Sequence, residues 1–224
     1  MTSPKLYWFN TWEDIKEPID HIYQRYCCDA ETGKKTRNIY AYSLSLGGGI
    51  LANYLTKVGT HTPLSAAVIY VMPFNLRDNI PFFRRNFFKF YDTVMGYNFH
   101  CLLKSKFSDF KKVMTEEQFN TYVQRVMANK SSLMDIDVNV MIASFDEYKD
   151  NLELYYEENQ MMGQIHKVKI PTFFLSCRDD PCIRPDLYPF KEFESNEHVI
   201  AGFTQRGGHC GSFTGGLKPV QWYP

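Results

Sequence analysis

The stretch that decides the fold reads "YAYSLSLGGGILANYL" and covers residues 40–55. It begins with an apolar run of the kind found in buried strands. A glycine cluster follows, and apolar residues then recur with helical spacing. The pattern predicts a strand over residues 38–45 and a helix over residues 47–56. Two serines, Ser43 and Ser45, lie at the junction between them.

Ser45 is a candidate nucleophile because its neighbours match the small-x-Ser-x-Gly spacing of a nucleophile elbow. In this sharp strand-to-helix turn, small residues two positions before and after the serine avoid clashes, and the strained backbone lifts the hydroxyl above the sheet. Ser45 has Ser43 and Gly47 at these positions, whereas Ser43 has no glycine two positions later. The Leu46 backbone N–H, just beyond the turn, is placed to donate a hydrogen bond to an oxyanion.

The same turn is open to a second interpretation, as a glycine-rich phosphate loop or an ordinary turn without a catalytic role. A phosphate-binding loop has the pattern G-x-x-x-x-G-K-[ST], and a dinucleotide site has G-x-G-x-x-G. Neither pattern is present in this stretch. The turn therefore favours catalysis only if suitable partners follow downstream.

Acidic and basic partners for the serine follow two later strands, in the chain order Ser, Asp, His. Residues 169–177 are predicted as a buried strand that leads into Asp179 and Asp180, and residues 198–205 as a strand that leads into His209. This is the chain order expected for the acid and the base of a sheet with a nucleophile elbow. Asp180 is favoured as the acid because it begins a turn-forming Asp-Pro pair, while Asp179 remains the alternative.

The strands and helices together predict an α/β fold with a mostly parallel sheet. A further buried strand is predicted at residues 64–74, and helical segments separate the four strand candidates, which is typical of a parallel sheet with helices on both faces. Residues 77–165 lack buried-strand runs and are predicted to form a helical insertion. We predict a single domain, residues 1–224, that includes this insertion.

The predicted insertion has its own signals. It carries the aromatic and basic run "FFRRNFFKFY" at residues 82–91, in which the Arg84–Arg85 pair is predicted to be a solvated face. Later in the insertion, Ser144 and Glu147 have the spacing of a capping box. A helix is therefore predicted to begin at this point.

Composition excludes several classes of function. Lys and Arg total 25, as do Asp and Glu, so the formal net charge is zero and gives no electrostatic reason to expect nucleic acid or an anionic membrane as a partner. No apolar run is long enough to span a bilayer, and the first residues lack the features of a secretory signal. The six cysteines have neither disulfide nor zinc spacing, so we expect free thiols in a reducing, cytoplasmic compartment. Cys210, beside His209, is predicted to serve packing.

These residues resemble a branch of the α/β-hydrolase superfamily that holds the embryogenesis-associated and YheT-like hydrolases, α/β-hydrolase-domain proteins 1 to 3 and yeast ethyl ester synthases. The matching segments are "SLGGGILANYL", "AAVIYVMPFNL", "FDEY" at residues 145–148, "YY" at residues 155–156, "IPTFFLSCRDDP" and "GGHCGSF". The resemblance implies that Ser45 is the nucleophile, Asp180 the acid and His209 the base. It also implies a small-molecule acyl ester as substrate, such as an acylglycerol or phospholipid, or acyl transfer to alcohols. No metal or organic cofactor is implied.

The chain also departs from this branch. By the resemblance, we expect it to begin inside the family's domain, without the early strands, the segment that supplies a second oxyanion donor, or the N-terminal membrane anchor of eukaryotic relatives. About four of the family's eight strands are encoded, so we expect an N-terminally truncated, partial α/β-hydrolase fold with an exposed sheet edge. A longer form with the anchor would be associated with the membrane.

Two hypotheses follow from the resemblance and the departures. The first is a serine esterase or lipase in which the insertion forms a cap whose Phe and Met residues line an acyl-chain pocket. The second is a non-catalytic remnant of such a hydrolase, with a binding role or without independent activity.

Overall fold

A four-stranded parallel sheet organises the computed structural model, which describes residues 6–149 and 151–221. The strands pair in the order β1-β2-β3-β4. They are β1 (Tyr40–Leu44), β2 (Ala66–Tyr70), β3 (Thr172–Cys177) and β4 (Val199–Thr204). Since all four run parallel, their carboxyl ends lie at the same edge of the sheet. The predicted α/β class, with a parallel sheet and flanking helices, is confirmed.

Helices make up most of the remaining regular structure. They are α1 (Glu13–Ile22), α2 (Ser45–Val58), α3 (Leu76–Arg85), α4 (Phe90–Ser105), α5 (Phe107–Phe110), α6 (Glu116–Ala128), α7 (Leu133–Ile136), α8 (Leu152–Asn159) and α9 (Phe190–Ser195). A short antiparallel pair, β5 (Phe213–Thr214) and β6 (Val220–Gln221), follows the sheet. Within the described part of the chain, no helix combines the length and apolar character needed to cross a bilayer.

The chain divides into two compact units. The sheet unit consists of Phe9–Asn79 and Asn159–Pro224, and the helical unit consists of Met1–Trp8 and Ile80–Glu158. The sheet unit contains all four parallel strands together with α1, α2 and α9.

The glycine cluster after β1 lets α2 lie close to its neighbours in the sheet unit. A Cβ atom at Gly48 would lie 3.1 Å from Ile69 Cγ2 and 3.1 Å from Met72 Cβ. A Cβ atom at Gly49 would lie 2.0 Å from the Phe9 ring. Helix packing therefore requires small residues at Gly48 and Gly49. A Cβ atom at Gly47 would meet nothing within 4 Å, so the clash predicted for that position is wrong.

Strand β1 lies at one edge of the parallel sheet. Among the described residues it pairs only with β2, so the hydrogen-bonding groups of its outer side have no strand partner there. Tyr40, Tyr42 and Leu44 alternate along it as exposed side chains, and Ala41 and Ser43 face the other side half-buried.

The predicted capping box in the helical unit is wrong. The Ser144 hydroxyl donates back to the Met141 carbonyl at 2.6 Å, so it closes a preceding helical turn. Helix α8 begins only at Leu152, where the Asn151 side-chain oxygen accepts a hydrogen bond from the Leu154 N–H at 3.1 Å. Ser144 and Glu147 have the spacing of a cap, but the Ser144 hydroxyl bonds a carbonyl that precedes it and not a backbone N–H that follows it.

A buried carboxyl group makes the stability of the helical unit depend on pH. Burial raises the pKa of Asp137 from 3.8 to about 8, and an interaction with the Trp8 indole offsets only part of this shift. Its Oδ1 atom has no hydrogen-bond partner among the described residues. The folded state therefore holds a proton that the unfolded state releases between these two pKa values.

We expect the free energy of unfolding to fall by about 1.4 kcal/mol per pH unit as the pH rises between these limits, through this one group. Below the lower limit both states bind the proton, and above the upper limit neither does, so the slope vanishes at both ends. Asp137→Asn should remove this component. Urea unfolding of both proteins across the pH range measures it, and parallel curves for the two proteins would contradict the expectation.

Candidate active site

Ser45 occupies the sharp turn between β1 and α2. The strand ends at Leu44, whose φ and ψ are −140° and 152°, and the helix begins with Ser45 itself. The φ of Ser45 is 51°, in the left-handed region that costs a non-glycine residue about 1–3 kcal/mol. Leu46 lies in the first turn of α2, so its backbone N–H has no acceptor within the helix. This local geometry is that of the predicted elbow.

Three residues that are distant in the sequence form a hydrogen-bonded chain at the carboxyl edge of the sheet. Ser45 Oγ lies 2.7 Å from His209 Nε2, and His209 Nδ1 lies 2.9 Å from Asp180 Oδ2. Asp180 is buried, and its Oδ1 atom accepts the backbone N–H groups of Cys182 at 2.7 Å and Ile183 at 3.2 Å. One carboxylate oxygen is therefore held by the backbone while the other faces the imidazole.

The two alternative candidates, Asp179 and Ser43, do not contact the imidazole of His209. Asp179 accepts the Gly208 N–H at 2.9 Å, so it contacts the backbone of the histidine loop and not the imidazole. Ser43 Oγ is buried and has no hydrogen-bond partner among the described residues. Of the two serines, only Ser45 is hydrogen-bonded to His209. Of the two aspartates, only Asp180 is hydrogen-bonded to it.

The loop that carries His209 is anchored through Ser212 to a buried polar cluster at the ends of the strands. The sequence analysis missed this cluster. The Ser212 hydroxyl bonds to the Tyr70 hydroxyl at the end of β2 and lies 3.6 Å from Cys177 Sγ at the end of β3. Thr204 Oγ1 donates to the same sulfur at 3.1 Å. A Cβ atom at Gly207 would lie 2.4 Å from Ser212 Oγ, so glycine is required there. The "GGH" run was the only local signal of this packing.

The electrostatics of His209 favour its charged form. Burial opposes protonation, but the hydrogen bond and negative charge of Asp180, with a contribution from Cys210, outweigh it and hold the pKa of His209 above its ordinary value of 6.5. Cys210 thus adds to the raised pKa of His209, besides the packing role predicted for it. Because only the neutral imidazole can remove a proton from serine, the raised pKa moves the basic form of His209 to higher pH.

The same residues include a possible set of metal ligands. Donor atoms of Asp180, Cys182 and His209 all lie within 4.8 Å of one another. Burial and the nearby Asp180 charge raise the pKa of the Cys182 thiol to about 12, so it is protonated at neutral pH, and metal ligation requires the thiolate. The carboxylate and imidazole already bond each other. We therefore interpret the group as part of a serine–histidine–aspartate chain.

The raised pKa of His209 predicts how the reactivity of Ser45 depends on pH. Only the neutral imidazole can accept the serine proton, so the reaction rate of Ser45 with a fluorophosphonate should rise with pH, with a midpoint above 6.5. Because the pKa of His209 is raised to about 10, the rate should be measured from about pH 5 to about pH 11 to test this expectation. Circular dichroism at each pH controls for unfolding, and a flat profile in the folded protein would contradict it.

No family model matches the chain, but several curated proteins are similar to it. It is 25% identical over 215 residues to "Monoacylglycerol lipase" of Saccharomyces cerevisiae, across 95% of this chain and 45% of that protein. It is 28% identical over 236 residues to "Monoacylglycerol lipase ABHD2" of Homo sapiens, across 99% of this chain and 52% of that protein. "Embryogenesis-associated protein EMB8" of Picea glauca is 25% identical, across 98% of this chain and 45% of that protein.

The chain thus spans about half the length of the curated relatives that it matches. The matches nevertheless cover almost all of the chain, and they include proteins of the branch that the sequence motifs resembled. Together with the parallel sheet and the strand-to-helix turn at Ser45, these relatives show that the chain resembles the α/β-hydrolase superfamily, in the branch that includes ABHD2 and EMB8.

Proposed function

We propose that this chain is a serine hydrolase that cleaves carboxylic esters of acyl lipids. The observation that carries the proposal is the unbroken chain of contacts from Ser45 Oγ through the His209 imidazole to the Asp180 carboxylate, at 2.7 Å and 2.9 Å. A serine hydroxyl becomes a nucleophile when a base can remove its proton and an acid orients that base. The strained backbone of Ser45 adds support, because such strain concentrates at functional sites.

In the proposed acylation step, Ser45 Oγ attacks the ester carbonyl carbon while its proton passes to His209 Nε2. The carbonyl oxygen becomes an oxyanion, and the Leu46 N–H donates to it. When the tetrahedral intermediate collapses, the bond to the alcohol oxygen breaks and His209 gives its proton to that oxygen. The alcohol leaves, and the acyl group remains bound to Ser45.

In the proposed deacylation step, His209 Nε2 takes a proton from a water molecule, which attacks the acyl carbon. The bond to Ser45 Oγ then breaks, the serine regains its proton from the imidazolium, and the carboxylic acid is released. An alcohol in place of water would give a new ester, so acyl transfer uses the same residues. Throughout, Asp180 keeps the proton of the imidazole on Nδ1 and stabilises the imidazolium.

The substrate class is proposed from the relatives and from the site itself. Two of the relatives are named monoacylglycerol lipases. We also propose that the helical unit is a cap-like insertion of a single hydrolase domain, since the segment Ile80–Glu158 enters the chain between β2 and β3 and consists of helices. Its many Phe and Met residues would suit an acyl chain.

The test combines a fluorophosphonate probe with a set of esters of increasing acyl length. We expect covalent labelling of the folded chain, with the adduct located on Ser45 by peptide mass spectrometry, and release of fatty acid from monoacylglycerol. Labelling of any other residue would remove Ser45 from the mechanism. A folded chain that neither labels nor hydrolyses would overturn the proposal and leave the non-catalytic remnant as the better description.

A further inference from the structure

A cluster of exposed aromatic side chains lies in the helical unit, between α3 and α4. Phe87, Phe90 and Tyr91 contact one another with ring centroids 5.6–6.2 Å apart. Phe87 is 66% exposed and Phe90 54%, and the neighbouring Phe88 is 99% exposed. Single exposed apolar residues are ordinary, but a contiguous cluster marks an interaction surface.

Helix α4 continues this apolar surface. Phe90, Val94 and Tyr97 recur at intervals of four and three residues, so they share one face of the helix, and all three are exposed. The buried positions of the same helix include the polar residues Asp92 and His100. The exposed face is thus strongly apolar although part of the buried face is polar, which is the reverse of the usual pattern for a surface helix.

The backbone holds the aromatic cluster outward. Phe87, Phe88 and Lys89 all have left-handed φ values, of 49°, 55° and 65°. Three consecutive non-glycine residues in this region are costly, and such strain is typical of functional segments. Just before the cluster, Arg84 Nη2 lies 3.4 Å from Asp135 Oδ1 on α7. The exposed Phe88 side chain is therefore presented by a defined, strained turn.

Basic side chains lie beside the apolar surface. The segment from Arg84 to Ser105 contains four basic residues and a single acidic one, Asp92, which is buried, and one of the basic residues, Arg84, is paired with Asp135. Arg85 and Lys89 are exposed beside the aromatic rings. The whole-chain charge of zero conceals this local excess. An apolar face rimmed by basic side chains is the combination that adsorbs to the surface of an anionic membrane.

We propose that the surface formed by Phe87, Phe88, Phe90, Val94 and Tyr97, with Arg85 and Lys89 beside it, docks onto an anionic lipid surface. The aromatic rings would enter the interfacial layer and the cations would contact lipid phosphates. A second copy of this chain fits less well. A two-fold dimer places the same patch on both partners, so Arg85 and Lys89 would face their own copies. Charge complementarity therefore favours lipid as the occupant.

Vesicle sedimentation tests this proposal on the full chain. We expect the protein to sediment with vesicles of phosphatidylcholine plus phosphatidylserine, and less with phosphatidylcholine alone. Phe88→Ser should lower the partition coefficient about tenfold or more on both kinds of vesicle. Arg85→Gln and Lys89→Gln should each lower it about fivefold on the anionic vesicles only.

Phe213→Ser is the matched control, because Phe213 is 60% exposed but lies in the sheet unit on β5. It should bind vesicles like the unmodified chain. Equal losses for Phe88→Ser and Phe213→Ser, or no vesicle binding by the unmodified chain, would overturn the proposal. The proposal would also be overturned if the unmodified chain formed a dimer that Phe88→Ser abolished, and did not bind vesicles. The measurement involves no hydrolysis, so its outcome is independent of the proposed catalysis.

Discussion

Replacing Ser45 with alanine is expected to lower ester hydrolysis by about 10⁴–10⁶-fold and to abolish fluorophosphonate labelling. The hydroxyl is the proposed nucleophile, and among the residues that the structure describes no second hydroxyl is hydrogen-bonded to His209. The left-handed φ of 51° is as unfavourable for alanine as for serine, so the backbone cost is the same in both proteins. Initial rates on a soluble short-chain ester, with thermal unfolding of both proteins, measure the effect.

Ser43→Ala is the control for this prediction. Ser43 lies two residues earlier on the same strand, and its hydroxyl contacts no polar partner among the described residues. Removing this hydroxyl should leave the hydrolysis rate within about a factor of three, since it only relieves a buried polar group. If the Ser43 variant lost activity while the Ser45 variant kept it, the elbow assignment would be wrong.

Replacing Asp180 with asparagine is expected to lower the hydrolysis rate by about 10⁴-fold with little loss of fold. The asparagine oxygen can still accept the Cys182 and Ile183 N–H groups that now bond Asp180 Oδ1. Its amide nitrogen would instead face His209 Nδ1, which would have to become an acceptor. The imidazole would then carry its proton on Nε2, where it cannot take the proton of Ser45.

Asp179→Asn provides the matched comparison on the neighbouring residue. Its side-chain oxygen can still accept the Gly208 N–H, now bonded at 2.9 Å, so the histidine loop keeps this contact. We expect a rate within about a factor of three of the unmodified chain, because a neutral acceptor replaces a charged one at an exposed site. Similar losses for the two asparagine variants would show that the site responds to charge alone and not to imidazole orientation.

Local sequence signals predicted the fold class because each depends on residues close together in the chain. The apolar run, the glycine cluster and the following helical spacing correspond to β1 and α2, and the later apolar runs correspond to β2, β3 and β4. The capping box failed because Ser144 satisfied its hydroxyl with the carbonyl of Met141. That choice depends on where the preceding turn ends, which the spacing of two polar residues does not encode.

The amino-acid sequence by itself determined the α/β class, the position of the strand-to-helix turn and the chain order Ser, Asp, His. These features follow from hydrophobic periodicity and steric limits that act over a few residues. Only the tertiary structure decided that Asp180 contacts His209 while Asp179 bonds the loop backbone. The hydrogen bond between Tyr70 and Ser212 is likewise seen only in the tertiary structure. So is the solvent exposure of the apolar face of α4. Each of these depends on contacts between residues far apart in the chain, and local patterns carry no distance between such residues.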